Sequence, residues 1–495
     1  MATRALAAAH SGRHSESEEL ARRALAAEPN NPSVLLALGE LAFEQGNAAA
    51  ASTLFAQAIE RRGSPVPASW HLSLGQALVR TGKLDEGTRS LEVAVATDGA
   101  NVGAWLALAR ARHVLGDLRA AVRAWEKAVA LNPGAWEPLN DLGSAWMEMR
   151  EWDRAASAFA QSERLSPGEP IVAVNRATLD LRQGRLREAV AALEATADQH
   201  PGYAPAIAGL GFALREAGRY AEAVAALRRA VELSPDKTTY GCGLGRALLE
   251  SGAADEGLAT AVALLERRPG HSGARALETL ARIGLGDVEG AARLLDYARF
   301  VGVTKLTAPP GFADLAAFNA ALASHAAAHP TLLSSPISHA TLDGMHSGSL
   351  LVEPRGPVAL LEQAAGAALS AYWRARSEID HPAFRSRPGA VYLKMWTVVL
   401  QQGGHQIPHI HPESWLSGVY YPQLPESMRD GPGPGGWLEF GEADRPFPAR
   451  MAAPTHRVRP EEGLLVIFPS YFYHRTVPFE GAGTRISIAF DVMGL

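Results

Sequence analysis

HIHPESWLSGVYY, residues 409–421, sets two histidines two apart and a glutamate two further on, ahead of an apolar and aromatic run. Side chains alternate faces along a strand, so an extended reading sends His409, His411 and Glu413 to one side. Three such groups on one face make a candidate metal site, and the flanking sequence has to say what else surrounds it.

Around this stretch the composition is that of strands. VYLKMWTVVL (391–400), SGVYYPQL (417–424), GWLEFG (436–441), GLLVIF (463–468) and RISIAFDV (485–492) are short, rich in β-branched and aromatic residues, and separated by Gly/Pro turns. MRDGPGPGG (428–436) reads as a loop, and two helices are expected before the strands, at about 313–328 and 358–377. Helices followed by antiparallel strands predict a sandwich or jelly roll.

One later histidine stands out, His474 in FPSYFYHRTVPF (468–479), and Arg485 follows it as the start of RISIAFDV. In that strand Arg485 and Ser487 share one face, while Ile486, Ile488 and Phe490 share the other. A close ligand pair, a distant histidine and an arginine-x-serine strand suit a non-haem Fe(II) site. Three side chains hold one face of such a metal and leave the other positions open. The arginine fork, with a serine hydroxyl beside it, suits the far end of a dicarboxylate. The close pair is either His409 with His411 or His411 with Glu413. Tyr420 and Tyr421 alternate faces, and Tyr420 is the candidate cosubstrate contact. Trp396 and Trp415 read as core or pocket walls, and His405 as a loop residue. GGHQ and the Gly-rich 431–436 segment lack a following helix with lysine, so they do not cradle phosphate.

The first 300 residues have a different order. From residue 68 the chain repeats with a period of 34. The eighth position of each unit is small (Gly75, Ala109, Gly143, Ala177, Gly211, Gly245), as is the twentieth (Gly87, Ala121, Ala155, Ala189, Ala223). The twenty-fourth is bulky (Leu91, Trp125, Phe159, Leu193, Leu227), and from the second unit on a proline closes the unit (Pro133, Pro167, Pro201, Pro235, Pro269). Small residues let two helices approach, bulky ones fill the space between them, and proline ends the second helix. A further unit fits 32–65, and 1–31 reads as the second half of another. This is the tetratricopeptide (TPR) pattern, which predicts stacked helical hairpins with an inner groove. Arg110, Arg215 and Arg246 sit at inner-helix positions that could face it. The register stops after Tyr297-Ala298, and LTAPPGF (306–312) reads as a linker.

With 47% hydrophobic and 20% charged residues, the chain has core-forming material for two or three domains. A formal charge of -5 gives no reason to expect nucleic acid or an anionic membrane as partner. One cysteine, Cys242, excludes an intramolecular disulfide framework and a multi-cysteine zinc site. Neither a signal-peptide core at the start nor an apolar run of about 18 residues is present, so the expected compartment is the cytoplasm.

Over roughly 300–495 the sequence resembles the 2-oxoglutarate/Fe(II)-dependent oxygenases, and more narrowly those found at the end of bacterial TPR proteins. PHIHPESWLSGVYY, GWLEFG, FPSYFYHRTVPF and RISIAFDV carry the resemblance. It implies a double-stranded β-helix (jelly-roll or cupin-like) with flanking helices, so that the whole is an α+β multidomain chain. The TPR solenoid of about eight hairpins would occupy 1–300 and the oxygenase 301–495. It also implies Fe(II), with 2-oxoglutarate and O2 as cosubstrates, and hydroxylation coupled to release of succinate and CO2. By resemblance His474 is the distal iron ligand, and Arg485 with Ser487 takes the C5 carboxylate of 2-oxoglutarate. The common near pair of the family is His-x-Asp, and this chain departs from it. The TPR oxygenases that it resembles carry HxHP, which favours His409, His411 and His474. Glu413 is then the alternative ligand, or an acceptor behind the ligands. The expected substrate is a side chain of a protein or peptide held by the TPR groove, with a small metabolite or peptide natural product as the alternative. The groove could also take a second copy of the chain, giving a homodimer. Two other classes remain at this stage: a TPR adaptor with a catalytically silent barrel, and a histidine-bound zinc hydrolase, for which Glu413 is the only local candidate base.

Overall fold

The 34-residue period becomes helical hairpins whose inner helices begin at Ala68, Val102, Glu137, Pro170, Ala204, Thr238 and Ser272. A computed structural model describes the chain except residues 2, 3, 6, 9, 10, 338, 432 and 495. The half-repeat expected over 1–31 falls partly on residues outside that description, and helix His14–Ala27 occupies the rest. The packing logic of the small positions holds. A Cβ on Gly75 would lie 2.6 Å from Leu91, and one on Gly211 would lie 2.5 Å from Leu227. In these two units the small eighth residue is matched to its own bulky twenty-fourth, whereas Gly245 meets Leu277 of the next unit.

A second periodic device sits in the turn between the two helices. Gly46, Gly82, Gly116, Gly184, Gly218, Gly252 and Gly286 all have left-handed φ, and at the corresponding place Arg150 adopts φ 62°. Each reverses the chain after an inner helix, where glycine carries no Cβ penalty.

The chain forms two compact units, Met1–Trp146 and Met147–Leu495, with the division inside helix Glu137–Glu148. Among its described residues, the first unit holds only helices of the repeat. The second carries the remaining hairpins and, from Gly302 on, an antiparallel sheet. The change from helices to strands comes at residues 301–302, yet the packing does not break there. One core runs from Leu277, Leu280 and Ile283 of the last repeat through Phe300 and Phe318 to Val398, Val466 and Phe490 of the sheet.

Ten strands make this sheet: β1 (Gly302–Lys305), β2 (Leu333–Ser334), β3 (Thr341–His346), β4 (Val391–His409), β5 (Leu416–Gln423), β6 (Leu438–Phe440), β7 (His456–Val458), β8 (Leu464–Pro469), β9 (His474–Thr476) and β10 (Arg485–Gly494). Their order is β1-β8-β5-β10-β4-β9-β6-β7, with β3 and β2 added alongside β4. Strand β4 is the hinge of the arrangement. Its first half pairs with β10, its middle with β3 and its end with β9, so the sheet curls over on itself in the manner of a jelly roll. Helices Leu315–Ala327 and Val358–Arg374 flank the sheet.

The five expected strands are all present, and β4 runs nine residues further than its apolar stretch, so His405 lies in a strand rather than a loop. A short helix, Glu426–Asp430, opens the segment expected as loop at 428–436, in which Pro432 lies outside the described residues.

Candidate metal and cosubstrate site

Curling brings the end of β4 against β9, with His409 directly opposite His474. His411 follows the end of β4, its N–H bonded to the Ser470 carbonyl. The three imidazole rings approach with centroids 4.2 to 5.3 Å apart, and each can offer a ligating nitrogen within 4.8 Å of the others. Among the described residues this is the group of histidines and acids that could hold a metal ion.

Each Nδ1 is already engaged. His409 Nδ1 donates to the Ile407 carbonyl (2.8 Å), His474 Nδ1 to the Phe472 carbonyl (2.9 Å), and His411 Nδ1 to the Asp491 carboxylate (2.9 Å). These acceptors fix the proton on Nδ1 and leave the Nε2 lone pairs for a metal. Burial keeps two of the rings neutral: it pushes the pKa of His409 down to about 3 and that of His474 well below the usual histidine range, and the neighbouring rings act in the same direction. The donor set therefore fits Fe(II) or a similar divalent ion.

The carboxylate behind His411 was legible in RISIAFDV but not singled out. Arg485, Ser487, Ala489 and Asp491 occupy alternate positions of β10. Apart from Asp491 they line the same narrow cavity as the histidines, while Asp491 stands behind His411. Ser417 Oγ also donates to Asp491 (2.7 Å). Burial opposes ionisation of Asp491, but His411 and the serine hydroxyls outweigh it and hold the carboxyl below its ordinary range.

Arg485 lies on the far side of this cavity, 1% exposed. Its guanidinium rests over the Tyr421 ring (5.0 Å to the centroid), donating from Nε to the Gly436 carbonyl (3.3 Å) and from Nη1 to Ser487 Oγ (3.1 Å). No carboxylate faces it among the described residues. A fully buried cation without a counter-charge is costly, and a bound carboxylate would relieve that cost. The cavity thus fits a dicarboxylate lying between Arg485 and the histidines.

Two expectations change. Tyr421, not Tyr420, enters the cavity. Val419 pairs with Ala489, which lines the cavity, and Tyr420 pairs with Ile488, which faces the core, so alternation carries Tyr421 to the cavity side. Tyr420 points away, its hydroxyl bonded to Asn319 of helix Leu315–Ala327 (2.5 Å). The second change is Glu413, which is not beside the histidines. Ser414 N–H closes a turn onto the His411 carbonyl, ending the strand alternation and sending Glu413 to the repeat domain. There its carboxylate accepts from Arg268 (3.0 Å) and His271 (3.1 Å). With Glu413 so engaged, the zinc-hydrolase alternative loses its local base. Trp396 stacks on His411 (5.6 Å, 21°) and walls the cavity, whereas Trp415 is core, donating to the Ala383 carbonyl.

Of the three inner-helix arginines, none is free. Arg110 pairs with Asp141, Arg215 with Glu250, and Arg246 with both Glu250 and Asp444 of the sheet domain.

The family described as "Putative 2OG-Fe(II) oxygenase" matches residues 394–491, which contain all three histidines, Arg485, Ser487 and Asp491. Tetratricopeptide families match 36–102, 104–170 and 180–241. The chain carries TPR repeats followed by a domain of the 2OG-Fe(II) oxygenase family. No curated protein matches it. Among solved structures, it is similar to a tetratricopeptide repeat protein from Parabacteroides merdae, at 16% identity and TM-score 0.46, over 50% of this chain and 98% of that one. A second is the C-terminal part of a TPR repeat-containing protein from Cytophaga hutchinsonii, at 18% identity and TM-score 0.40, over 49% and 99%. Yeast Tom70 is similar at 16% identity and TM-score 0.45, over 58% and 61%. Among the described residues, no helix is long and apolar enough to cross a membrane.

Proposed function

We propose that the chain is a 2-oxoglutarate- and Fe(II)-dependent dioxygenase that hydroxylates a side chain of a protein or peptide. Residues 301–495 are the oxygenase and 1–300 the repeat region. The observation that carries this reading is the pairing, in one cavity, of three Nε2-presenting histidines with a buried arginine that has no anionic partner.

In this reading His409, His411 and His474 hold the iron, which, when bound, supplies the O2 chemistry that couples oxidative decarboxylation of 2-oxoglutarate to oxidation of a C–H bond. Arg485 and Ser487 take the distal carboxylate of 2-oxoglutarate through a fork of hydrogen bonds, and Tyr421 supports the guanidinium from below. Trp396, Val419, Leu438 and Phe468 keep water from the cavity. A silent barrel has no use for an unpaired buried cation, which is why the adaptor reading is set aside.

The protein or peptide substrate is supported by the repeats, whose families commonly mediate protein contacts. Arg246 is already bound to Asp444 of the sheet domain, so it is not a free contact for such a substrate. A direct test is turnover of 2-oxoglutarate to succinate under O2 with Fe(II). Wild-type protein should produce succinate slowly even without substrate, and His474→Ala should not. Equal background turnover in both would refute the assignment.

A further inference from the structure

The segment that carries His411 is held from two sides. The ring is fixed by Asp491, but the backbone just after it is fixed by the repeat region. Helix Ser272–Leu285, the inner helix of the last hairpin, begins against the turn 411–414. Gly273 N–H donates to the Pro412 carbonyl (3.1 Å) and Ser272 Oγ to the Ser414 carbonyl (2.6 Å). His271 Nδ1 accepts the Ala274 N–H as the helix cap, so its proton sits on Nε2, which donates to Glu413. Arg268 completes the set on the other Glu413 oxygen. Every residue from Pro412 to Ser414 is thus tied to residues 268–273.

The contact is close as well as polar. A Cβ on Gly273 would lie 3.0 Å from the Pro412 Cβ, so a larger residue would push on the turn. His271, Ser272 and Ser414 are all buried, so the bond from Ser272 to the Ser414 carbonyl is made away from water, while Glu413 and Arg268 are half-exposed. A different contact on the same seam, Arg445 with Glu216, is a half-exposed pair that does not touch the turn.

We propose that the last TPR hairpin is part of the metal centre, with Ser272 and Gly273 acting as positioning residues that hold the 411–414 turn where it presents His411 to the metal. The inference rests on the reading of His409, His411 and His474 as ligands. It makes the state of the repeat region felt at the iron: whatever displaces the start of this helix loosens one ligand of three.

The test compares Ser272→Ala, Ser272→Thr, Gly273→Val and Arg445→Ala in the full chain. Two quantities are read: Fe(II) affinity by anaerobic competition with a chelator, and hydrogen exchange over 410–416 in metal-free protein. Ser272→Ala and Gly273→Val should speed exchange over the turn and weaken Fe(II) binding about tenfold, the scale seen when a group supporting a metal ligand is removed. Ser272→Thr, which keeps the hydroxyl, should restore most of the affinity. Arg445→Ala should change neither reading. Unchanged Fe(II) affinity in Ser272→Ala overturns the proposal, as does an equal loss in Arg445→Ala, which would mean general loosening of the seam. If wild-type protein binds no Fe(II), the ligand reading itself fails, and this shows before any variant is compared.

Discussion

Replacing Asp491 by asparagine asks how much one carboxylate behind a ligand is worth. Asp491 accepts the His411 Nδ1 proton at 2.9 Å and the Ser417 hydroxyl at 2.7 Å from a position 9% exposed. Asparagine keeps the shape but removes the charge, and its amide can present only one oxygen to the two donors. A hydrogen bond to a charged acceptor contributes about 1.5–3 kcal/mol. Supporting groups behind metal-bound histidines are worth about 10–100-fold in affinity, or about 1.4–2.8 kcal/mol, so the two routes agree. The site has no carboxylate among its three proposed ligands, which makes Asp491 its nearest negative charge and should place the loss toward the upper end. Anaerobic titration of metal-free protein with Fe(II) against a competing chelator measures it directly. Wild-type affinity in a folded Asp491→Asn protein would refute the idea that this carboxylate orients and charges His411.

Arg485→Lys keeps a cation but loses the fork, so 2-oxoglutarate affinity should fall by about tenfold or more while Fe(II) affinity holds; calorimetry on the two ligands separates them. Arg150→Gly should raise stability by about 1 kcal/mol in denaturant unfolding, because Arg150 alone among these turn positions bears a Cβ at left-handed φ. His381 is buried, with Arg275, Arg293 and Arg299 near it, and its pKa is lowered to about 4 from 6.5. The unfolded chain then takes up this proton first, so the stability present above pH 6.5 is lost as pH falls toward 4, by about 3 kcal/mol in total. Urea unfolding of His381→Gln across that window should be flatter than wild type, and parallel curves would refute it.

The repeat was legible because its rule is local: a missing Cβ at Gly75 or Gly211 and a bulky partner sixteen residues on are both visible in the sequence. The left-handed glycines at the inter-helix turns follow the same period and mark it as clearly. Strands with an apolar face were legible too, whereas β1, β2, β3, β7 and β9 are short or polar and exist only because a neighbour (β8, β3, β4 or β6) offers each an edge. His409, His411, His474 and Arg485 could be named from residue type and order. Tyr421 could not be chosen over Tyr420, since the choice depends on the register of β5 against β10, which pairs Val419 with cavity-lining Ala489 and Tyr420 with core-facing Ile488. Glu413 misled for a related reason. Alternation holds only while the chain stays extended, and the turn from His411 to Ser414 ends it before the chain reaches Glu413. Asp491 was within reach, since it shares a face with Arg485 and Ser487, but its role required knowing that β10 runs beside β5, which starts soon after His411 and sets Ser417 opposite Asp491.

The central claim is that three histidines and no acid hold an iron to which 2-oxoglutarate binds. Metal-free protein titrated anaerobically with Fe(II) and then 2-oxoglutarate should develop the visible charge-transfer band of a chelated 2-oxo acid. The band should be lost in His409→Ala, His411→Ala and His474→Ala and kept in Glu413→Ala. A band that survives His409→Ala but disappears in Glu413→Ala would contradict the ligand set, and no band in folded wild-type protein would contradict the dioxygenase reading itself.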